Sequence, residues 1–241
     1  MKTLIKLGLI SLLATSQQAL SQPLSAADII RQSNLASYYA ANDGRAEARM
    51  RIVDANGNQQ LRQFTILRKD VADEGQQKML VVFSRPTDVK GTVFRVEKHI
   101  EQDDYRWLYL PALDLVKRIS AGDKRTSFVG SHFFYEDVSG RNPKEDTFEL
   151  LETTSDSFVI KGTPKNPSSV EFANYQATID RASFLPMAVV YFDDKGKAQR
   201  RMTVLKTRDV QGHTTVVHSR IEQLSDGSYT EMQFRNVAYD L

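Results

Sequence analysis

The chain has 241 residues, with 32 Lys+Arg against 30 Asp+Glu, 41% apolar residues and no cysteine. The lack of thiols excludes a disulfide framework, a cysteine nucleophile and a lipid anchor carried on cysteine. The small positive excess is matched by Lys2 and Lys6 at the N-terminus, so the rest of the chain lacks the basic surplus of a nucleic-acid binder.

Those two lysines precede an apolar stretch from Leu7 to Ala14 and a polar region ending in Ala19-Leu20-Ser21. This is the layout of an export signal, cleaved near Ser21-Gln22, and it predicts a periplasmic protein with signal peptide 1–21. No segment reaches the roughly 20 apolar residues needed to span a bilayer. No linker, low-complexity tract or fixed-period repeat divides the remainder, so one domain over 22–241 is expected.

Ser25 and Asp28 form a capping-box pattern that opens a helix from about Ala26 to Ala41, stopped by Asn42-Asp43-Gly44. Ile29, Leu35, Ala36 and Tyr39 give it a loose apolar stripe, which suits a lid or plug packed on a sheet. From Arg45 the period changes to two. Ala46, Ala48, Met50 and Ile52 point one way and Glu47, Arg49 and Arg51 the other, and Asp54 to Asn58 turns the chain into a return strand bearing Phe64 and Ile66. Ten more strands are read at Lys78–Phe83, Thr92–Lys98, Tyr105–Leu110, Thr147–Leu151, Ser157–Lys161, Tyr175–Asp180, Met187–Phe192, Ala198–Thr207, Thr214–Gln223 and Tyr229–Ala238. Tips at Asp193-Gly196, Asp209-Gly212 and Ser225-Ser228 link the last four in a meander. The fold class is mainly β, within α+β: so many antiparallel strands curl into a half-barrel, with a helix across its mouth.

Chemistry-bearing patterns are sparse. His99, His132, His213 and His218 lack metal-ligand spacing, and no phosphate-binding glycine loop is present, so neither metal nor cofactor is expected. No G-x-S-x-G elbow occurs; Ser131 and His132 are neighbours, and neighbours on an extended chain point apart, which makes a dyad sterically poor. Asp103, Asp104, Glu136 and Asp137 read most simply as turn or capping residues. Catalytic residues are therefore expected to be none.

The most unusual composition lies in Arg106-Trp107-Leu108-Tyr109-Leu110-Pro111-Ala112-Leu113, in Val116-Lys117-Arg118-Ile119, and in Ser127-Phe128-Val129-Gly130-Ser131-His132-Phe133-Phe134-Tyr135-Glu136-Asp137. These segments resemble signatures of the LolA-like outer-membrane lipoprotein-sorting proteins, whose pattern runs Tyr-Leu-Pro-Ala-Leu, then Val-Arg-Arg-Ile, then Ser-Phe-x-Gly-Ser-x-Phe-x-Tyr-Glu-Asp. Phe83-Ser84-Arg85-Pro86-Thr87-Asp88-Val89-Lys90-Gly91 resembles the family's strand connection. His132 departs from the family's usual Asp, and Lys117 is a Lys-for-Arg change. The resemblance implies a LolA/LolB-like half-barrel enclosing a hydrophobic cavity for the acyl chains of a lipid or acylated lipoprotein, and no catalytic residue. It also implies a link, in some relatives, to inner-membrane exporters of the RND type.

On this reading the protein is a monomeric lipid or lipoprotein carrier. The alternative is an adaptor or sensor that binds an RND-type exporter rather than lipid, and a lipid hydrolase using Ser131 and His132 stands third. Met50, Ile52, Phe64, Ile66, Phe94 and Val96 fit a cavity lining and plain core equally. Trp107 and Tyr109 either line the cavity mouth or fix a loop, the latter role also suiting Pro111, Gly130, Ser131, Tyr135, Glu136 and Asp137. Lys117, Arg118, Lys124 and Arg125 either dock on an anionic partner or form a solvated face.

Overall fold

The computed structural model describes residues 23–72 and 74–241; the signal-peptide reading of 1–21 lies outside them. Helix α1 spans Ala26–Tyr38. Ser25 Oγ accepts from the Asp28 amide at 3.1 Å and Asp28 Oδ2 accepts from the Ser25 amide at 3.3 Å, so the capping box forms. The helix stops three residues before Ala41. Its last carbonyl and the segment beyond it find partners on the sheet: Gln77 Nε2 donates to Tyr38 O at 2.7 Å and Arg68 Nη2 to Ala41 O at 3.1 Å.

The strands are β1 (Asp43–Val53), β2 (Gln59–Asp70), β3 (Gln77–Arg85), β4 (Val93–Lys98), β5 (Tyr105–Leu110), β6 (Leu115–Ile119), β7 (Asp146–Thr153), β8 (Ser157–Pro164), β9 (Asn174–Asp180), β10 (Pro186–Phe192), β11 (Ala198–Val210), β12 (His213–Gln223) and β13 (Tyr229–Tyr239). They form one 13-stranded open sheet in the order β6-β5-β4-β3-β2-β1-β13-β12-β11-β10-β9-β8-β7. All neighbours are antiparallel, so the sheet is two meanders joined where β1 pairs with β13. The turns follow their chemistry: Asp54 Oδ1 accepts from the amides of Asn56 and Asn58 at 2.8 and 2.9 Å, and Asp193 Oδ1 from those of Lys195 and Lys197 at 3.0 and 2.8 Å. Strand β6 was not expected. Leu-Val-Lys-Arg-Ile has no period of two, because as an edge strand it exposes four of its five residues.

Since β6 and β7 occupy opposite edges, the segment from Ser120 to Glu145 has to cross the whole sheet. It carries the short helix α2 (Tyr135–Ser139) and covers the half of one sheet face formed by β1 to β5. Phe128, fully buried, is the centre of this cover, with ring centroids 6.3, 5.7, 5.5 and 5.6 Å from Phe64, Phe83, Phe94 and Tyr135. Helix α1 lies on the same face at the other end, burying Ile29 against Phe158, Ile160, Ala177 and Ile179.

Candidate functional site: a cavity between the helices and the sheet

Between these two covers the sheet face is left partly unfilled. A cavity of about 400 Å³ is bounded by the last turn of α1 (Ala36 to Tyr38), by α2 with the segment after it, and by strands β1 to β3 and β10 to β13. Ile66, Met79, Val189, Met202, Met232 and Phe234 make much of its wall. The size and apolar lining fall in the range of small-molecule and lipid sites.

Its polar wall is a buried ion network. The Glu136 carboxylate, 1% exposed, meets Lys124 Nζ at 3.0 Å, Arg125 Nη1 at 3.1 Å and Arg141 Nη1 at 3.1 Å. Burial pushes the Glu136 carboxyl upward, but the combined field of Arg141, Arg125 and Lys124 outweighs it and holds the group below the usual range. Arg141 also forks onto Asp146, with Nε and Nη2 both at 2.8 Å. Asp146 in turn accepts from the Tyr175 hydroxyl at 2.9 Å, and burial followed by that carboxylate drives the phenol far above its ordinary value. Arg200 of β11 pairs with Asp137, which also accepts the Phe134 amide at 2.6 Å, while Arg125 pairs with Glu171 and lies over Phe134 and Phe172. The network ties the crossing segment to β7 and β11, and each of its cations has a carboxylate partner.

Lys98 supplies a second tie. Its Nζ donates to Ser139 O at 3.0 Å and sits 4.7 Å from the centre of the Tyr38 ring, joining α1, α2 and β4. Burial, eased by Asp104 and reinforced by Arg106, lowers its pKa from 10.5 to about 8. Between these values the unfolded chain binds the extra proton, so folding stability rises with pH. We expect the wild type to gain about 2 kcal/mol from this group between pH 8 and 10 in urea titrations, and Lys98→Met to show no such rise. Above pH 10 the slope reverses, because burial raises Tyr38 and Tyr39, the latter to about 12.

Of the residues expected at a lipid lining, Ile66 is at the cavity wall. Met50, Ile52, Phe64, Phe94 and Val96 belong instead to the core cluster that includes Phe128, Phe133 and Tyr135. Trp107 and Tyr109 alternate with buried Arg106 and Leu108 and so face the other side. There the Arg95 guanidinium lies 5.0 Å from the Trp107 ring and the Tyr109 hydroxyl donates to Asp114 Oδ1 at 3.1 Å. Pro111 opens a 3-10 turn and Gly130 takes φ +77° in the bend before Ser131. Ser131 Oγ donates to Phe133 O at 3.3 Å and accepts its amide at 3.2 Å, whereas the His132 ring partners Thr230 at 2.8 Å. The four cations proposed as one basic surface are split: Lys117 and Arg118 are exposed on β6, while Lys124 and Arg125 are inside the ion network. The site also contains Arg68, Lys98, Arg141, Asp146, Tyr175 and Arg200, which no sequence motif marks. The available signal was a charge at an inward position of a strand, as with Lys98 two residues beyond Val96 and Arg200 two before Met202.

An open antiparallel sheet with this cover has the fold of the LolA superfamily: a member from Nitrosomonas europaea superposes with a TM-score of 0.69 at 15% identity, over 91% of this chain and 96% of that one. Residues 75–241 match the family model described as an uncharacterized, DUF1329-like protein, and the chain belongs to that family. A DUF1329 family protein from Desulfovibrio piger superposes with a TM-score of 0.81 at 28% identity, covering 90% of this chain and 92% of that one. A domain from Vibrio parahaemolyticus assigned to outer-membrane lipoprotein-sorting proteins gives 0.80 at 25% identity, over 89% and 92%. No curated protein matches the chain.

Proposed function

We propose that the protein is a periplasmic carrier that shelters the acyl chain of a lipid or lipoprotein on its way towards the outer membrane, residues 22–241 acting as one binding domain. The observation that carries this reading is the apolar cavity of about 400 Å³ left between α1, α2 and the central strands. The export-signal pattern and the similarity to the Vibrio parahaemolyticus sorting domain support it. Such a role needs burial rather than bond making: each sheltered methylene contributes roughly 0.8 kcal/mol, so a dozen supply on the order of 10 kcal/mol before ordering costs.

Native mass spectrometry of the protein purified from periplasm, or after incubation with lipid vesicles, is expected to show a bound lipid mass. Val204 faces the cavity from β11, and Val204→Trp fills the space from one wall. That variant is expected to bind at least tenfold less lipid while unfolding at an unchanged or higher temperature. Absence of lipid from the wild type under both conditions, or equal loading of the tryptophan variant, overturns the proposal.

A further inference from the structure

We infer that the cavity takes an amphiphile with an anionic head, and that Arg68 receives the head. This rests on the carrier reading above and narrows it to a ligand class.

Six charged side chains line the cavity: Arg45, Arg68, Arg125, Glu136, Asp137 and Arg141. Arg45 pairs with Glu47 at 2.9 Å, Arg125 and Arg141 with Glu136 at 3.1 Å each, and Asp137 with Arg200. Arg68 is the exception. Among the described residues no carboxylate lies within 4.0 Å of its guanidinium; one Nη2 bond reaches the Ala41 carbonyl at 3.1 Å, and Nε is buried without a hydrogen-bond partner. A half-buried guanidinium with an orphaned N–H against an apolar wall is costly unless an acceptor arrives. The planar fork suits a carboxylate or phosphate, which offers two oxygens for parallel N–H bonds.

Its position fits a head rather than a tail. Arg68 stands in register with Gly44, and Gly44 with Tyr239, so the three mark one end of the cavity where β1 begins and β2 and β13 finish. Down the same face follow Ile66 on β2, then Phe234 and Met232 on β13, all apolar. An amphiphile lying along these strands would place its charge at the strand ends and its hydrocarbon against that wall.

Ligands sharing one twelve-carbon tail separate head from tail: dodecanoate, dodecyl phosphate and uncharged dodecanol, bound to the delipidated full chain and followed by calorimetry at fixed salt. The wild type is expected to bind one or both anions about tenfold or more tighter than the alcohol. Arg68→Gln is expected to erase that preference while keeping the alcohol's affinity, and Arg68→Lys to restore part of it. Tighter binding of dodecanoate supports a carboxylate head, and tighter binding of the phosphate a phospholipid-type head. Equal binding of anion and alcohol by the wild type, or an unchanged preference in Arg68→Gln, overturns the head assignment and leaves the carrier reading standing. Failure of all three ligands to bind overturns both.

Discussion

Glu136→Gln is expected to lower the folding free energy by about 3–5 kcal/mol, the cost of breaking a buried ion pair on one side only. The carboxylate meets three cations within 3.1 Å, and the amide that replaces it takes from Lys124, Arg125 and Arg141 the one buried carboxylate they share. Glu145, Asp146, Asp137 and Glu171 still partner these cations but do not replace the shared contact, which sets the lower end of the range. The same substitution changes the acid limb. Because the folded carboxyl titrates below its ordinary value of 4.5, its contribution is complete above that pH and is lost as pH falls through the folded value. Urea midpoints taken at pH 7 and pH 4 should therefore differ less for the variant than for the wild type. A variant within 1 kcal/mol of wild type at pH 7 would mean that the network does not hold the crossing segment.

Gly162→Ala is expected to cost about 3 kcal/mol, combining an overpacked contact with a weakened hydrogen bond to a buried carboxylate. Gly162 on β8 is in register with Tyr175 on β9, and the ring lies across the glycine: an added methyl would stand 2.2 Å from Cζ and 2.6 Å from Oη. The ring cannot retreat without giving up Asp146, whose other partner is Arg141. Here the glycine serves close approach rather than a left-handed backbone. Chemical denaturation reads the loss directly. Combining the change with Tyr175→Ala should cost less than the sum of the two single changes, since the clash disappears with the ring; strict additivity would refute the contact.

Much of the sheet was legible because its strands obey simple rules. Ala48, Met50 and Ile52 share one parity, and the Asp-led turns at 54 and 193 use side-chain bonds that the sequence advertises. Strand β6 obeys no such rule, being an edge with little to bury. Met50, Phe64 and Phe94 all point inward, yet parity does not reveal what lies on top. Phe128 and Tyr135 cover those residues because β6 and β7 end at opposite edges, a long-range fact of strand order. The cavity falls beyond that cover, where Val189, Met202 and Phe234 meet Ile66 across the β1–β13 seam. No local pattern marks a place defined by where the plug stops.

That seam also governs timing. Met232, Phe234, Val237 and Tyr239 form part of the cavity wall and all sit on β13, the most C-terminal of the thirteen strands, which has to return and pair with β1 nearly two hundred residues earlier in the chain. Closing a loop of that length comes late in folding. The cavity wall is therefore complete only once this strand docks, which makes the enclosed space a property of the finished sheet and of no shorter part of the chain.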